Sequence, residues 1–106
     1  MILIDTVRVR KIRPEIMPIL EAILSYEELG HSVTVTGWQD QTYRFDGAHA
    51  DGRALDLRVW NHKDPDLLAK ALEDKLYPVS EHYVVLWNDE GHKDHIHVGY
   101  HKETRA

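Results

Sequence analysis

Two segments of the chain alternate between apolar and polar residues with the period of a β-strand. In residues 53–60 the alternation places Asp56 on the face opposite the apolar side chains, and in residues 95–101 it does the same for His97. The apolar positions are Leu55, Leu57 and Val59 in the first segment and Ile96, Val98 and Tyr100 in the second. If both strands belong to one sheet with a single packed face, Asp56 and His97 converge on the other face.

Hydrophobic residues at helical spacing predict two helices. The first covers residues 18–29, begins at Pro18 and ends before Gly30. The second has Asp64 as its N-cap and Pro65 in its first position, and it runs to about Leu76. The buried stripes are expected at Ile19, Leu20, Ile23 and Leu24 in the first helix and at Leu68, Leu72 and Leu76 in the second.

Further apolar and β-branched runs predict a short edge strand at residues 7–9 and a strand at residues 31–38. Residues 82–87 are apolar on both sides, which is typical of a central strand. The polar residues 39–46 are predicted to form a loop, and their one cation is Arg44. Together these elements predict an α+β fold, an antiparallel sheet of about four strands with two helices packed on one face.

The composition is that of an ordinary globular protein, with 42% hydrophobic and 29% charged residues, so we expect one domain covering residues 1–106. A formal net charge of -5, with no basic stripe beyond residues 8–13, argues against a nucleic-acid partner. No stretch has the length of a membrane span, and the first residues lack the apolar run of a signal peptide. We therefore expect a protein that is cytoplasmic as synthesised.

The chain has 8 histidines and no cysteine, so zinc would be held by imidazoles and carboxylates. His49 precedes the strand of Asp56, and Gly52 lies between them, where a turn can bring His49 back over that strand. We therefore predict that His49, Asp56 and His97 bind one zinc ion. A plainer interpretation is that the histidines merely lie on the surface of a sheet, but it does not explain the alignment on two strands.

The residues around this site resemble the motifs of a known peptidase family. The pattern Ser-x-His-x-x-Gly-x-Ala-x-Asp is represented here by Gly47, His49, Gly52, Ala54 and Asp56, with glycine in place of the serine. The second motif, an acidic residue three positions before a histidine, is represented by Asp94 and His97. Over roughly residues 33–98 the chain thus resembles the zinc D-alanyl-D-alanine carboxypeptidases and dipeptidases and the phage L-alanyl-D-glutamate endolysins, which share the Hedgehog/DD-peptidase fold.

The resemblance implies a zinc metallopeptidase that hydrolyses peptide bonds of bacterial cell-wall peptides. It implies that His49, Asp56 and His97 are the zinc ligands. It also implies that Asp94 takes the place of the catalytic carboxylate and that His95 assists near the metal. Release by phage lysis is the implied route by which a protein without a signal peptide reaches peptidoglycan.

One departure from the family pattern concerns the substrate. The Ser-Gly-Tyr-Arg run that precedes the motif in many members appears here as Thr36-Gly37-Trp38-Gln39. The expected arginine is missing, and Arg44 from the following loop is the predicted substrate-binding replacement. Two alternative functions remain open: a zinc-binding module without hydrolytic activity, as in the Hedgehog signalling proteins, and a phage structural module that retains the site as a relic.

Overall fold

A mixed five-stranded sheet and two α-helices make up the part of the chain that the structure describes, residues 1–5, 7, 9, 12–38 and 53–105 of a computed structural model. The strands are β1 (Ile2–Leu3), β2 (Thr34–Gly37), β3 (Ala54–Arg58), β4 (Tyr83–Leu86) and β5 (His95–Tyr100). Their order across the sheet is β1-β2-β3-β5-β4. β1 runs parallel to β2, and the remaining neighbours pair antiparallel.

The N-terminal strand differs from its prediction. Val7 and Val9 lie in no strand, and Ile2–Leu3 forms the edge of the sheet instead. The backbone N–H of Ile2 donates to the carbonyl of Val33 at 2.9 Å. The sheet was predicted to be antiparallel with about four strands. Because β1 is parallel to β2, it is a mixed sheet of five strands. A strand of 2 residues is too short to show an alternation, so periodicity cannot identify it.

β4 lies at the opposite edge of the sheet, which corrects its prediction as a central strand. Among the described strands it pairs with β5 alone. Its sequence is apolar on both sides because Tyr83 and Val85 are buried in the core, while Val84 and Leu86 are half-buried on the other face. The two strands that carry the candidate metal ligands, β3 and β5, lie inside the sheet and pair with each other.

The two helices are α1 (Met17–Glu27), which follows a 3₁₀ turn at Pro14–Ile16, and α2 (Pro65–Leu76). The predicted start of α2 is confirmed, since the Asp64 carboxylate accepts the Leu67 N–H at 3.2 Å and caps the helix. In the part of the chain that the structure describes, no helix is long and apolar enough to cross a lipid bilayer.

The buried face of α1 is rotated from its prediction. Leu24 is 49% exposed, whereas Ala22 and Tyr26 are buried beside Ile19 and Ile23. The prediction placed Leu20 and Leu24 in the buried stripe from their helical spacing; Leu20 is partly buried against the core, and Leu24 is not. Tyr26 can take a core position because the ring of a tyrosine is apolar and packs like that of phenylalanine, although its hydroxyl is polar.

Both helices pack against the same face of the sheet. The core there contains the predicted leucine stripe of α2 together with the side chains on one face of each inner strand, β2, β3 and β5. The members from these strands are Val35, Leu55, Leu57, Ile96 and Val98, and they are joined by Val33 just before β2 and Val59 just after β3. Asp56 and His97 are the neighbours of these core residues along β3 and β5, so their side chains lie on the face of the sheet away from the helices.

Candidate metal centre

Asp56 and His97 lie directly opposite each other where β3 pairs with β5. Each residue is only 4% exposed. Asp56 Oδ1 and His97 Nδ1 are 3.4 Å apart. The expected convergence of these two side chains on one face of the sheet is therefore found.

An irregularity in β2 lies beside Asp56. Val35 pairs with Leu57, but the next pairing joins Gly37 to Asp56, so two residues of β2 face one residue of β3. This is the arrangement of a β-bulge, which bends a strand and changes the direction of its side chains. The Thr36 hydroxyl donates to the backbone carbonyl of Asp56 at 3.4 Å, which fixes the Asp56 backbone from the β2 side.

His97 is held from the other end of its ring by His101. The two Nε2 atoms are 2.7 Å apart, so one ring donates a hydrogen bond and the other accepts it. His101 itself is fixed by its backbone, since its N–H donates to the His82 carbonyl at 2.9 Å. With Nε2 engaged by His101, Nδ1 is the His97 nitrogen that faces Asp56.

Asp94 and His95 form a hydrogen-bonded pair at the edge of the site. His95 Nδ1 lies 2.8 Å from Asp94 Oδ1, and the far nitrogen of the same ring, Nε2, lies 3.8 Å from Asp56 Oδ1. The Asp94 side chain is 91% exposed. The hydrogen bond from His95, another from its own backbone amide and the charge of the imidazole hold the pKa of Asp94 below its ordinary value of 3.8. Asp94 is therefore connected to the Asp56–His97 pair by way of the His95 ring. Its carboxylate is ionised at neutral pH.

A further imidazole borders the same site. The ring of His92 lies 5.2 Å from that of His95 and 5.9 Å from that of His97, measured between centroids. Its Nδ1 contacts Asp89 Oδ1 at 2.6 Å, so its orientation is also set by a carboxylate. Two histidines, His95 and His97, thus approach Asp56, and two more, His92 and His101, contact those two rings.

The Asp56–His97 pair fits one edge of a zinc site. Two ligand atoms that lie about 2.0–2.1 Å from a tetrahedral zinc ion are separated by about 3.3–3.4 Å. The observed 3.4 Å between Oδ1 and Nδ1 equals that separation, and both donors are of the types that zinc accepts. His101 in turn occupies the second nitrogen of His97, as the outer partner of a metal-bound histidine does.

The prediction included two residues on which the structure does not bear. His49, the third predicted zinc ligand, and Arg44, the predicted substrate contact, lie outside the described residues. Within the described ranges, no group of three or more His, Asp or Glu side chains is arranged to hold a metal ion. The structure thus supplies two of the three predicted ligands as a pair, and the third remains a prediction.

Two neighbours of the pair, His92 and His101, carried no assigned role in the sequence prediction. The signal for His101 was present, because it shares the face of His97 in the extended segment of residues 95–101. No comparable signal identifies His92, because it lies in the loop before β5, where alternation does not apply. In comparisons with known proteins, no family model, curated protein or solved structure matches the chain.

Proposed function

We propose that the protein is a zinc-dependent peptidase that hydrolyses peptide bonds of bacterial cell-wall peptides. The observation that carries the proposal is the buried Asp56–His97 pair, whose ligand atoms are 3.4 Å apart. A buried carboxylate and imidazole at this separation suit a tetrahedral metal. His49 completes the ligand set in this proposal, and the fourth position is open to water, as in catalytic zinc sites.

The architecture supports the same proposal. An α+β domain with helices on one face of the sheet and polar residues on the other leaves the polar face for a substrate. The Hedgehog/DD-peptidase fold that the motif residues imply is part of this proposal and belongs to the same α+β class. The bulge beside Asp56 also supports a functional role, because bulges are frequent next to active sites.

The chemistry assigned to the chain's own residues centres on the Asp94–His95 pair. A bound zinc ion supplies a water of pKa about 7 and polarises the carbonyl of the substrate. His95 Nε2 faces the ligand pair and is the atom from which a proton can be exchanged with the attacking water and the leaving amine. Asp94 holds the His95 ring in that orientation and stabilises it when it carries the proton.

The test combines metal content with hydrolysis. Elemental analysis of the purified protein is expected to find about one zinc per chain, in keeping with a single three-ligand site. His97→Ala is expected to lose the zinc, whereas His31→Ala keeps it, because His31 is exposed and stacks on Tyr26 away from the site. Incubation of the zinc-loaded protein with peptidoglycan fragments is expected to release new amine termini. Zinc retained in His97→Ala would overturn the metal assignment.

One observation favours the alternative of a zinc-binding module without hydrolysis. The Asp94 side chain is 91% exposed and contacts His95 rather than the ligand pair, which leaves it available to a partner protein. Asp94→Ala separates the two functions. In a peptidase this substitution abolishes most of the turnover and leaves the zinc content unchanged. In a binding module the wild type hydrolyses nothing, and the substitution again leaves the zinc content unchanged. Asp74→Ala is the control, because its carboxylate pairs with Lys70 on the exposed side of α2.

A further inference from the structure

Arg58 lies next to the candidate metal centre on the same face of the sheet. It is the last residue of β3 and comes two positions after Asp56, so the two side chains lie on the same face about 7 Å apart along the strand. In the pairing of β3 with β5 it is opposite His95. Arg58 is therefore the cationic residue of β3 that lies beside the ligand pair.

The guanidinium of Arg58 rests on an exposed aromatic ring. Its Cζ lies 4.7 Å from the centroid of the Trp60 indole, and Trp60 is 75% exposed. Within the described residues, no carboxylate forms an ion pair with Arg58, although 18 acidic residues are present in the chain. A guanidinium stacked on a ring keeps its N–H groups directed outward in its own plane, where they can bind a planar anion.

The charges around the site explain why such a cation matters. The formal net charge is -5, and the exposed carboxylate of Asp94 lies at the edge of the site, outside the zinc-ligand pair. A substrate that carries a carboxylate is repelled by Asp94 and by the negative charge of the protein as a whole. A fixed arginine at the edge of the site offsets that repulsion and can hold the carboxylate through two parallel hydrogen bonds.

We propose that Arg58, supported by Trp60, is a binding subsite for a substrate carboxylate that lies about one residue from the bond to be cut. The proposal rests on the proposed peptidase function for the identity of the substrate, but carboxylate binding can be measured without hydrolysis. Two cell-wall groups have this chemistry: the C-terminal carboxylate of a D-alanyl-D-alanine peptide and the free α-carboxylate of a γ-linked D-glutamate.

The experiment compares each carboxylate with its amide. The zinc-loaded full chain is titrated with N-acetyl-D-alanyl-D-alanine and with N-acetyl-L-alanyl-D-glutamine, each against its C-terminal amide, and binding is followed by calorimetry and tryptophan fluorescence. The second ligand reproduces the α-carboxylate of γ-linked D-glutamate. We expect one of the two acids to bind roughly 10- to 100-fold more tightly than its amide, the range of a charge-assisted hydrogen-bonded pair.

Substitutions then assign that preference to a residue. Arg58→Gln is expected to abolish the preference for acid over amide, Arg58→Lys to retain a part of it, and Trp60→Leu to weaken it by about 2- to 5-fold. Arg105→Gln is the matched control, because Arg105 also stacks on an aromatic ring, with its Cζ 3.7 Å from the Tyr77 centroid, but lies near the C-terminal end of α2.

The outcomes separate this proposal from the peptidase function. The subsite is refuted if neither acid is preferred over its amide, or if the preference persists in Arg58→Gln. Neither result refutes the peptidase function, which is tested separately by the hydrolysis of peptidoglycan fragments. A preference that Arg58→Gln removes, in a protein that hydrolyses nothing, supports the carboxylate subsite and refutes the peptidase. The acid that shows the preference identifies which of the two substrate groups the subsite binds.

Discussion

Gly99 lies directly opposite Ala54 in the pairing of β3 with β5, and a Cβ on Gly99 would come within 2.7 Å of the Ala54 Cβ. The same Cβ would meet the backbone of Arg53 and Ala54 at 3.2 Å, so the clash cannot be relieved by a side-chain rotation alone. The two strands would have to separate, two residues away from the Asp56–His97 pair.

We therefore expect Gly99→Ala to lower the free energy of unfolding by about 1–3 kcal/mol, as other overpacking substitutions do. Urea denaturation measures this change. The double variant Ala54→Gly/Gly99→Ala removes the Cβ–Cβ contact and should recover part of the stability that Gly99→Ala loses. Full stability of the single variant would show that β3 and β5 are not as close as this contact indicates.

Removal of zinc is expected to destabilise the protein, because the proposed ligands come from separate elements that the ion ties together. A metal present at about 100 times its Kd adds about 2.7 kcal/mol, so a chelator should lower the Tm by roughly 10 °C. Differential scanning fluorimetry with and without the chelator measures the shift. Asp56→Asn should abolish the difference between the two curves, and a wild type that contains zinc but melts identically in both conditions contradicts the site.

His101 is expected to position His97 for metal binding through the 2.7 Å contact between their Nε2 atoms. Loss of such an outer partner commonly weakens metal affinity by about 10- to 100-fold. We expect His101→Ala to raise the Kd for zinc by about 10-fold and His101→Gln, which keeps a polar group on the side chain, to raise it less.

The control for His101 is the stability of the metal-free protein. If the residue acts only in packing, His101→Ala lowers the Tm of the metal-free protein and leaves the zinc Kd unchanged. Competition with a chromophoric chelator gives the Kd, and scanning fluorimetry gives the Tm, so the two effects are measured separately.

Glu27 links three parts of the chain and should make stability depend on pH. Its Oε1 contacts the N-terminal ammonium of Met1 at 2.6 Å, and its Oε2 accepts the Val33 N–H at 3.0 Å. Burial alone would raise the pKa of Glu27, but these hydrogen bonds and the ammonium charge outweigh it and hold the pKa below its ordinary value of 4.5. The carboxylate therefore stabilises the fold above that value, and the contribution is lost as the pH falls through the lowered pKa.

We expect Glu27→Gln to lower the free energy of unfolding by about 1 kcal/mol at pH 7 and by less at pH 3. Urea denaturation of both proteins over this pH range measures the change. Glu28→Gln is the control, since Glu28 is an exposed neighbour. An equal difference between wild type and Glu27→Gln at both pH values would contradict the lowered pKa.

The strand alternation was a sound guide to the candidate site because side-chain direction in a strand is fixed by the backbone alone. It predicted that Asp56 and His97 share the face opposite the core, and the pairing of β3 with β5 places them side by side. The helix cap at Asp64 was predictable for the same reason, since it depends on residues within one turn of each other.

Relations between distant parts of the chain were not predictable in this way. The parallel pairing of Ile2–Leu3 with β2 and the edge position of β4 depend on which strands come together, and the alternation of a single strand does not encode its neighbours. The exposed Leu24 has the same origin, because the part of an amphipathic helix that is buried depends on the angle at which it packs.

The sequence by itself determined the fold class, the two helices, the strands other than β1 and the kinds of ligand available, because these follow from periodicity and residue chemistry. Only the tertiary structure decided that Asp56 Oδ1 and His97 Nδ1 lie 3.4 Å apart, that His101 occupies the far side of the His97 ring, and that Asp94 reaches the site through His95. The same holds for Arg58, whose stacking on Trp60 depends on the turn after β3. Ångström-scale distances between side chains are set by strand register, rotamers and packing, and none of these is contained in the residue pattern of a single segment.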